Sequence, residues 1–110
     1  MILVVGLLSG CGKDPAQMTD AELGLNAQQS RGRKVFNIYC LTCHPAYSSS
    51  GNKGPGLKKV FQKEYLPSGL TATDAHVMQN IIQGRGMMPP FGNQLDQQEI
   101  QDVIAYLHTL

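Results

Sequence analysis

The apolar positions of this chain fall into an uncharged opening run and four later clusters. The run Met1 to Gly10 reads MILVVGLLSG and carries no charged side chain. A membrane-spanning helix needs about 20 apolar residues, so this run is too short to span and suits the apolar core of an export signal. Residues 11–26 are mostly polar, with Lys13, Asp14, Pro15 and Gln17, and show little apolar periodicity. That composition predicts a tether. The ordered domain is expected over residues 27–110.

Within the domain the periodicity predicts four helical segments. The first runs over residues 27–40, with Val35, Phe36, Ile38 and Tyr39 as apolar members. Gly32 lies inside it and costs about 1 kcal/mol relative to alanine, so a packing reason is expected. A turn-rich stretch follows from His44 to Gly56. Leu57, Val60 and Phe61 then mark a second, short segment at helical spacing. Thr73 or Asp74 can cap a third helix bearing Val77, Met78, Ile81 and Ile82, closed by Gly84. Asp96 and Glu99 are spaced as a capping box for a fourth, whose apolar face holds Ile100, Val103, Ile104 and Leu107. No alternating strand pattern and no internal repeat is visible, so the class is all-α.

Composition narrows the function. At 110 residues the chain is one domain with a limited core of its own. The formal net charge is +1, which argues against a nucleic-acid binder. Three cysteines leave one over in any disulfide framework.

Cys40-Leu41-Thr42-Cys43-His44 is the most informative segment. It matches C-x-x-C-H, the attachment pattern of c-type haem. Two thiols must reach two vinyl groups on one side of a flat macrocycle, and a two-residue gap at a helix end places both there. The histidine directly after the second thiol can supply an imidazole nitrogen to the iron. A thioredoxin-like C-x-x-C would sit beside a βαβ pattern, which is missing. A structural zinc site wants four ligands at typical spacings, and Cys11, His76 and His108 form no such pair. Both histidines are better read as solvated helix residues.

Gly84-Arg85-Gly86-Met87-Met88-Pro89-Pro90-Phe91 has the traits of a ligand loop. Its glycines allow positive φ and close approach to a cofactor. Pro89 favours extended backbone at Met88, where successive side chains point opposite ways. Only one of Met87 and Met88 can therefore face an iron.

With this loop the domain resembles the class I cytochromes c over residues 28–110. The resemblance implies a bundle of about four helices around one covalent haem c, bound at Cys40 and Cys43. It implies His44 and Met88 as axial ligands of the iron, Met88 being the methionine just before the proline. Pro55 matches the family's proline beside the haem, whose carbonyl accepts the proton on the other nitrogen of the ligand histidine. Gly32 and Phe36, with Val103 and Tyr106, match the positions where first and last helices cross. Tyr65 and Arg85 are candidates for hydrogen bonds to the haem propionates.

Leu8-Ser9-Gly10-Cys11 resembles the lipobox of bacterial lipoproteins. It implies that residues 1–10 are a signal peptide and that Cys11 carries lipid, anchoring the protein to the periplasmic face of a membrane. The function implied is one-electron transfer between a redox protein donor and acceptor, not catalysis. One alternative is a fixed haem subunit of a larger membrane oxidoreductase. Another is a haem enzyme or gas sensor with a labile sixth ligand. From Arg31 onward no acid precedes Glu64, while Arg33, Lys34, Lys53, Lys58, Lys59 and Lys63 all do. A basic face of this kind fits a partner with an acidic docking surface.

Overall fold

The computed structural model describes residues 12–110; the signal-peptide segment and Cys11 lie outside the described residues. Three α-helices form the domain: α1 Ala27–Tyr39, α2 Asp74–Gln83 and α3 Gln97–Leu107. The helix bounds follow from their caps. Asn26 and Gln29 form a reciprocal capping box at the start of α1, with bonds of 2.8 and 2.9 Å. Thr73, rather than Asp74, caps α2 by accepting from the His76 amide. Asp96 and Glu99 form the expected box on α3. Gly84 ends α2 at φ +69°, a conformation costly for other residues.

The second of the four expected segments is a single 3₁₀ turn, Val60–Gln62. The chain enters it through Lys59 at φ +57°, the one positive-φ non-glycine among the described residues. A left-handed residue cannot sit inside an α-helix, so helical spacing of Leu57, Val60 and Phe61 could not extend into one. The Lys59 amide instead bonds the Leu110 carbonyl at 3.0 Å, tying this turn to the end of the chain. Among the described residues there are only isolated bridges, Tyr65–Thr71 and Arg85–Met88, and no strand.

The polar stretch before α1 is more structured than a plain tether. Asp14 caps a 3₁₀ turn at Pro15–Gln17, and further turns follow from Asp20 to Leu25. Asp20 pairs with Arg33 of α1 at 2.8 Å, Lys13 pairs with Glu22 at 3.1 Å, and Leu25 packs against the core. Its charges found partners on one another and on α1, which a count of apolar periodicity cannot reveal.

The crossing of α1 over α3 organises the core. A Cβ at Gly32 would overlap the Asp102 carbonyl oxygen and lie 2.5 Å from the Asp102 carbonyl carbon and 3.0 Å from Tyr106 Cβ. The backbones meet at van der Waals range, which is the packing reason for a glycine inside α1. One turn on, Phe36 is fully buried and its ring lies 5.4 Å from that of Tyr106 at 60°, a favoured aromatic geometry. Val103 and Tyr106 are each 1% exposed.

Asp102 is buried on the same crossing, holding Arg31 Nε at 3.2 Å and Gln98 Nε2 at 2.8 Å. Burial pushes its pKa up, but hydrogen bonds from Gln98, Arg31 and Gln28 outweigh that and leave it below the usual value. A depressed carboxylate contributes stability above its unfolded pKa, near ~3.9, and loses it as pH falls through the folded value. Asp102→Asn should therefore lower thermal stability at neutral pH and narrow its gap to the parent below about pH 4; a gap that persists unchanged in acid would refute the assignment. Gly32→Leu should destabilise the domain by about 1–3 kcal/mol or more. An unchanged thermal midpoint would disprove the close crossing.

Candidate functional site

The C-terminal end of α1 delivers Cys40 and Cys43 to the wall of an apolar cleft. Cys40 is the C-cap of α1, with its amide on the Phe36 carbonyl, and the turn that follows bonds the Cys43 and His44 amides to the Cys40 carbonyl at 3.1 and 2.9 Å. This turn brings Cys40, Cys43 and His44 together along one cleft of about 430 Å³. Phe36, Val77, Ile81, Phe91, Val103 and Leu107 from all three helices and the loop line its interior. Burial, with a smaller contribution from Cys43, pushes the Cys40 thiol up to about 11. As a free group it stays a thiol at neutral pH.

His44 is held from two sides. Its Nδ1 lies 2.9 Å from the Pro55 carbonyl oxygen. As the donor there, Nδ1 carries the proton and leaves Nε2 as the nitrogen able to bind a metal. Gly54 packs on the ring: a Cβ there would approach Nδ1 to 2.7 Å and Nε2 to 2.9 Å, and Cε1 closer still. The Gly54 amide bonds the Cys43 carbonyl at 2.8 Å and the Asn52 amide bonds the Gly54 carbonyl at 2.9 Å. The turn-rich stretch after the motif is thus a bracket around the imidazole.

The loop after α2 is pinned at both ends. Arg85 and Met88 exchange backbone bonds of 3.0 and 2.9 Å across a tight turn with Gly86 at φ +56°. Beyond it, the Phe91 and Gly92 amides return to the Ile81 and Ile82 carbonyls. The two methionines both line the cleft but differ in burial: Met87 is 86% exposed, whereas Met88 is partly buried and packed on the core. A Cβ on Gly84 would overlap the Met88 carbonyl, so this glycine also lets the loop fold back over the helix end.

Cys40, Cys43, His44, Pro55 and Met88 all line the cleft, as does Arg85, while Tyr65 does not and is 54% exposed. The donor set suits an iron porphyrin: an imidazole, methionine thioethers, two thiols and an apolar surround. His76 instead bonds the Thr71 carbonyl at 2.8 Å. His108 pairs with Asp74 at 2.6 Å and stacks on Phe61, with ring centroids 3.8 Å apart. Both are structural. The sequence reading missed Ser68 and Asn80, polar residues on the cleft wall. Asn80 could have been found, since it falls three residues after Val77 on the buried face of α2. The ring-packing role of Gly54 had no sequence signal beyond an ordinary turn.

Known proteins resemble the chain over most of its length. Residues 27–107 match the family described as cytochrome c oxidase, cbb3-type, subunit III. Cytochrome c6 of Leptolyngbya boryana is 33% identical over 74% of this chain and 91% of its own length. A cytochrome c-553-like protein of Synechocystis is 31% identical over 100% of this chain and 93% of its own. Among solved structures, cytochrome c6 of the diatom Phaeodactylum tricornutum superposes with a TM-score of 0.57 at 30% identity, covering 73% of this chain and 90% of that one.

Gly54→Ala should displace the imidazole or open the bracket. The expected outcome is a lower thermal midpoint and faster exchange of the His44 Nδ1 proton in NMR spectra. A variant with the parent's midpoint and a protected Nδ1 proton would show that Gly54 does not support the ring.

Proposed function

The chain belongs to the small class I c-type cytochromes, and from that premise we propose that Cys40 and Cys43 hold its haem and that His44 and Met88 ligate the iron. The protein is an electron carrier with one covalently bound haem c. The observation that carries the residue assignment is the convergence of both thiols, the Pro55-bonded His44 and the inward Met88 on one cleft. When bound, the haem iron supplies the reversible one-electron change.

The chain's own residues make that change easy and selective. Pro55 fixes the tautomer of His44 and raises its basicity as a ligand. Met88 would give a bound haem iron a second protein ligand, which would deny that site to oxygen or peroxide and favour electron transfer over catalysis. A methionine there also raises the potential. The apolar walls would keep water from a bound macrocycle, and the loop pinned by Arg85 and Phe91 would hold the thioether in place.

Redox proteins are its partners. We read Lys53, Lys58, Lys59 and Lys63, all exposed, as a basic rim for an acidic docking surface; Lys53 and Arg85 also line the cleft itself. Electron-transfer complexes are small and short-lived, burying less than about 1,200 Å², so charge governs how quickly they form. For the anchor, we keep residues 1–10 as a signal peptide and Cys11 as the lipidated residue, with the domain at the periplasmic face of a membrane. No described helix is long and apolar enough to cross one. A second reading, a fixed subunit of a larger oxidoreductase, draws support from the oxidase-subunit family that residues 27–107 match. Co-purification with an oxidoreductase after gentle detergent extraction would select it over a free shuttle.

Met88→Ala should abolish the thioether-to-iron absorbance and lower the potential, and Met87→Ala should preserve both; the reverse result would move the ligand to Met87. Haem should stay on the polypeptide in denaturing electrophoresis and be lost in the double variant Cys40→Ala, Cys43→Ala. The second-order rate with the native partner should fall with rising salt, since the screening length is about 10 Å at 0.1 M. Lys53→Glu with Lys58→Glu should slow it with little change in potential. A rate that is flat or rises with ionic strength would rule out the basic rim.

A further inference from the structure

The outer face of α1 carries a pattern that electron transfer does not use. Arg31, Lys34, Ile38 and Leu41 follow one another at intervals of three, four and three residues. On a helix that spacing is a single stripe, continued by Leu41 just beyond the last turn. Ile38 stands about half a turn away from Phe36, the residue that faces the cleft and the core. Ile38 is 70% exposed and Leu41 46%, whereas Gly32 and Phe36 on the inner face are buried. Lys34 is exposed and has no ion-pair partner among the described residues; Arg31 is half-exposed and shared with Asp102.

The start of the described chain lies along the Arg33 flank of the helix, about 100° round from Lys34, and reaches the stripe at Leu41. Leu41 shares a second cleft with Asp14 and Ala16, beside Arg33 and Asn37. Asp20 holds this segment to Arg33, whose side chain is only 12% exposed. The turns and ion pairs of residues 13–25 therefore keep the chain's N-terminal part beside the stripe.

We propose that the stripe Lys34, Ile38 and Leu41 is a membrane-contact surface, resting on an anionic phospholipid headgroup layer. This rests on the lipid-anchor reading of Cys11. Asp14 is three residues from Cys11, so it lies within about 11 Å of the anchor even when the link is fully extended. The segment Asp14 belongs to is clasped to α1. The two aliphatic side chains enter the apolar edge of the headgroup region, and the ammonium of Lys34 meets lipid phosphate, the usual division of labour at an interface. Neither residue alone would bind a membrane, but an anchored chain samples the surface at a high effective concentration. The consequence is orientation: α1 lies on the lipid, and the cleft side of the helix, with Phe36 and Cys40, faces away from it towards partners.

The test uses intact holoprotein in vesicles of phosphatidylglycerol and phosphatidylcholine, labelled briefly with a water-soluble amine-acylating reagent. Lys34 should react several-fold more slowly than in the free Cys11→Ser holoprotein, with Lys53 and Lys63 unchanged. Ile38→Asp with Leu41→Asp should restore Lys34 reactivity while the protein stays membrane-bound through Cys11. Equal labelling of Lys34 in anchored and free protein would overturn the proposal, and the anchor reading would survive. If instead the parent protein fractionates as soluble, the anchor reading fails. The proposal, which needs the high effective concentration that the anchor provides, is then overturned with it. Protection seen in native membranes but not in pure lipid would assign the stripe to a protein neighbour and also overturn it.

Discussion

The close approach of α1 and α3 at Gly32 is the constraint on which the rest of this structure depends. With no Cβ in the way, the backbone of α1 rests on the Asp102 carbonyl, and this fixes both the distance and the angle of the pair. Phe36 and Tyr106 then meet one turn further along, and Val103 and Leu107 are carried to the cleft wall. Because Cys40 caps the same helix, its position relative to α3 follows from that crossing. A helix pair set wider apart would move the thiols away from the walls that must enclose a flat cofactor.

Rigidity elsewhere is built from backbone hydrogen bonds rather than helix packing. The imidazole of His44 is bracketed by the Gly54 and Pro55 peptides. The Met88 loop is closed on itself by Arg85 and then sewn to the end of α2 by Phe91 and Gly92. These two brackets lie far apart in sequence, yet they line the same cleft. Such loops can hold ligands steady because their amides and carbonyls are satisfied locally, leaving little reason to rearrange. For a protein that carries electrons, a site that does not rearrange is an advantage, since any change in coordination between redox states would slow the exchange.

Much of this was legible in the residues. The all-α class, the Asp96–Glu99 capping box and the Gly84 stop each rest on local chemistry that acts over a few residues. C-x-x-C-H was legible because one rigid macrocycle dictates the spacing of its attachment points. Gly32 was legible as an anomaly, and its partner became clear only through the family resemblance. What stayed hidden depends on contacts distant in sequence. Lys59 turns left-handed where its amide meets the Leu110 carbonyl, and nothing near Lys59 in the sequence announces this. Asn26 as the α1 cap was overlooked because the polar stretch before it reads as featureless. Met87 and Met88 both line the cleft but only Met88 packs on the core, a difference in burial that the closed turn makes and alternation alone could not show.

The segment before α1 shows how electrostatics can organise a stretch that hydropathy leaves blank. Exposed ion pairs are individually worth little, often under about 1 kcal/mol. Arg33 is different because its side chain is mostly buried while Asp20 remains partly exposed. A guanidinium taken out of water without a partner would be costly, so the pair is favoured chiefly by what breaking it would leave behind. That gives residues 13–25 a defined place on α1 at small net gain in stability. The effect on function is geometric. A segment that leaves the domain at a fixed point transmits orientation to the domain, whereas a free coil transmits only a maximum distance. Where such a segment ties an electron carrier to a surface, the difference decides whether its cofactor edge meets a partner on most encounters or on few. One ion pair to α1, a second within the segment and a few turns hold it there, and biasing an orientation requires only a few multiples of RT and no additional core.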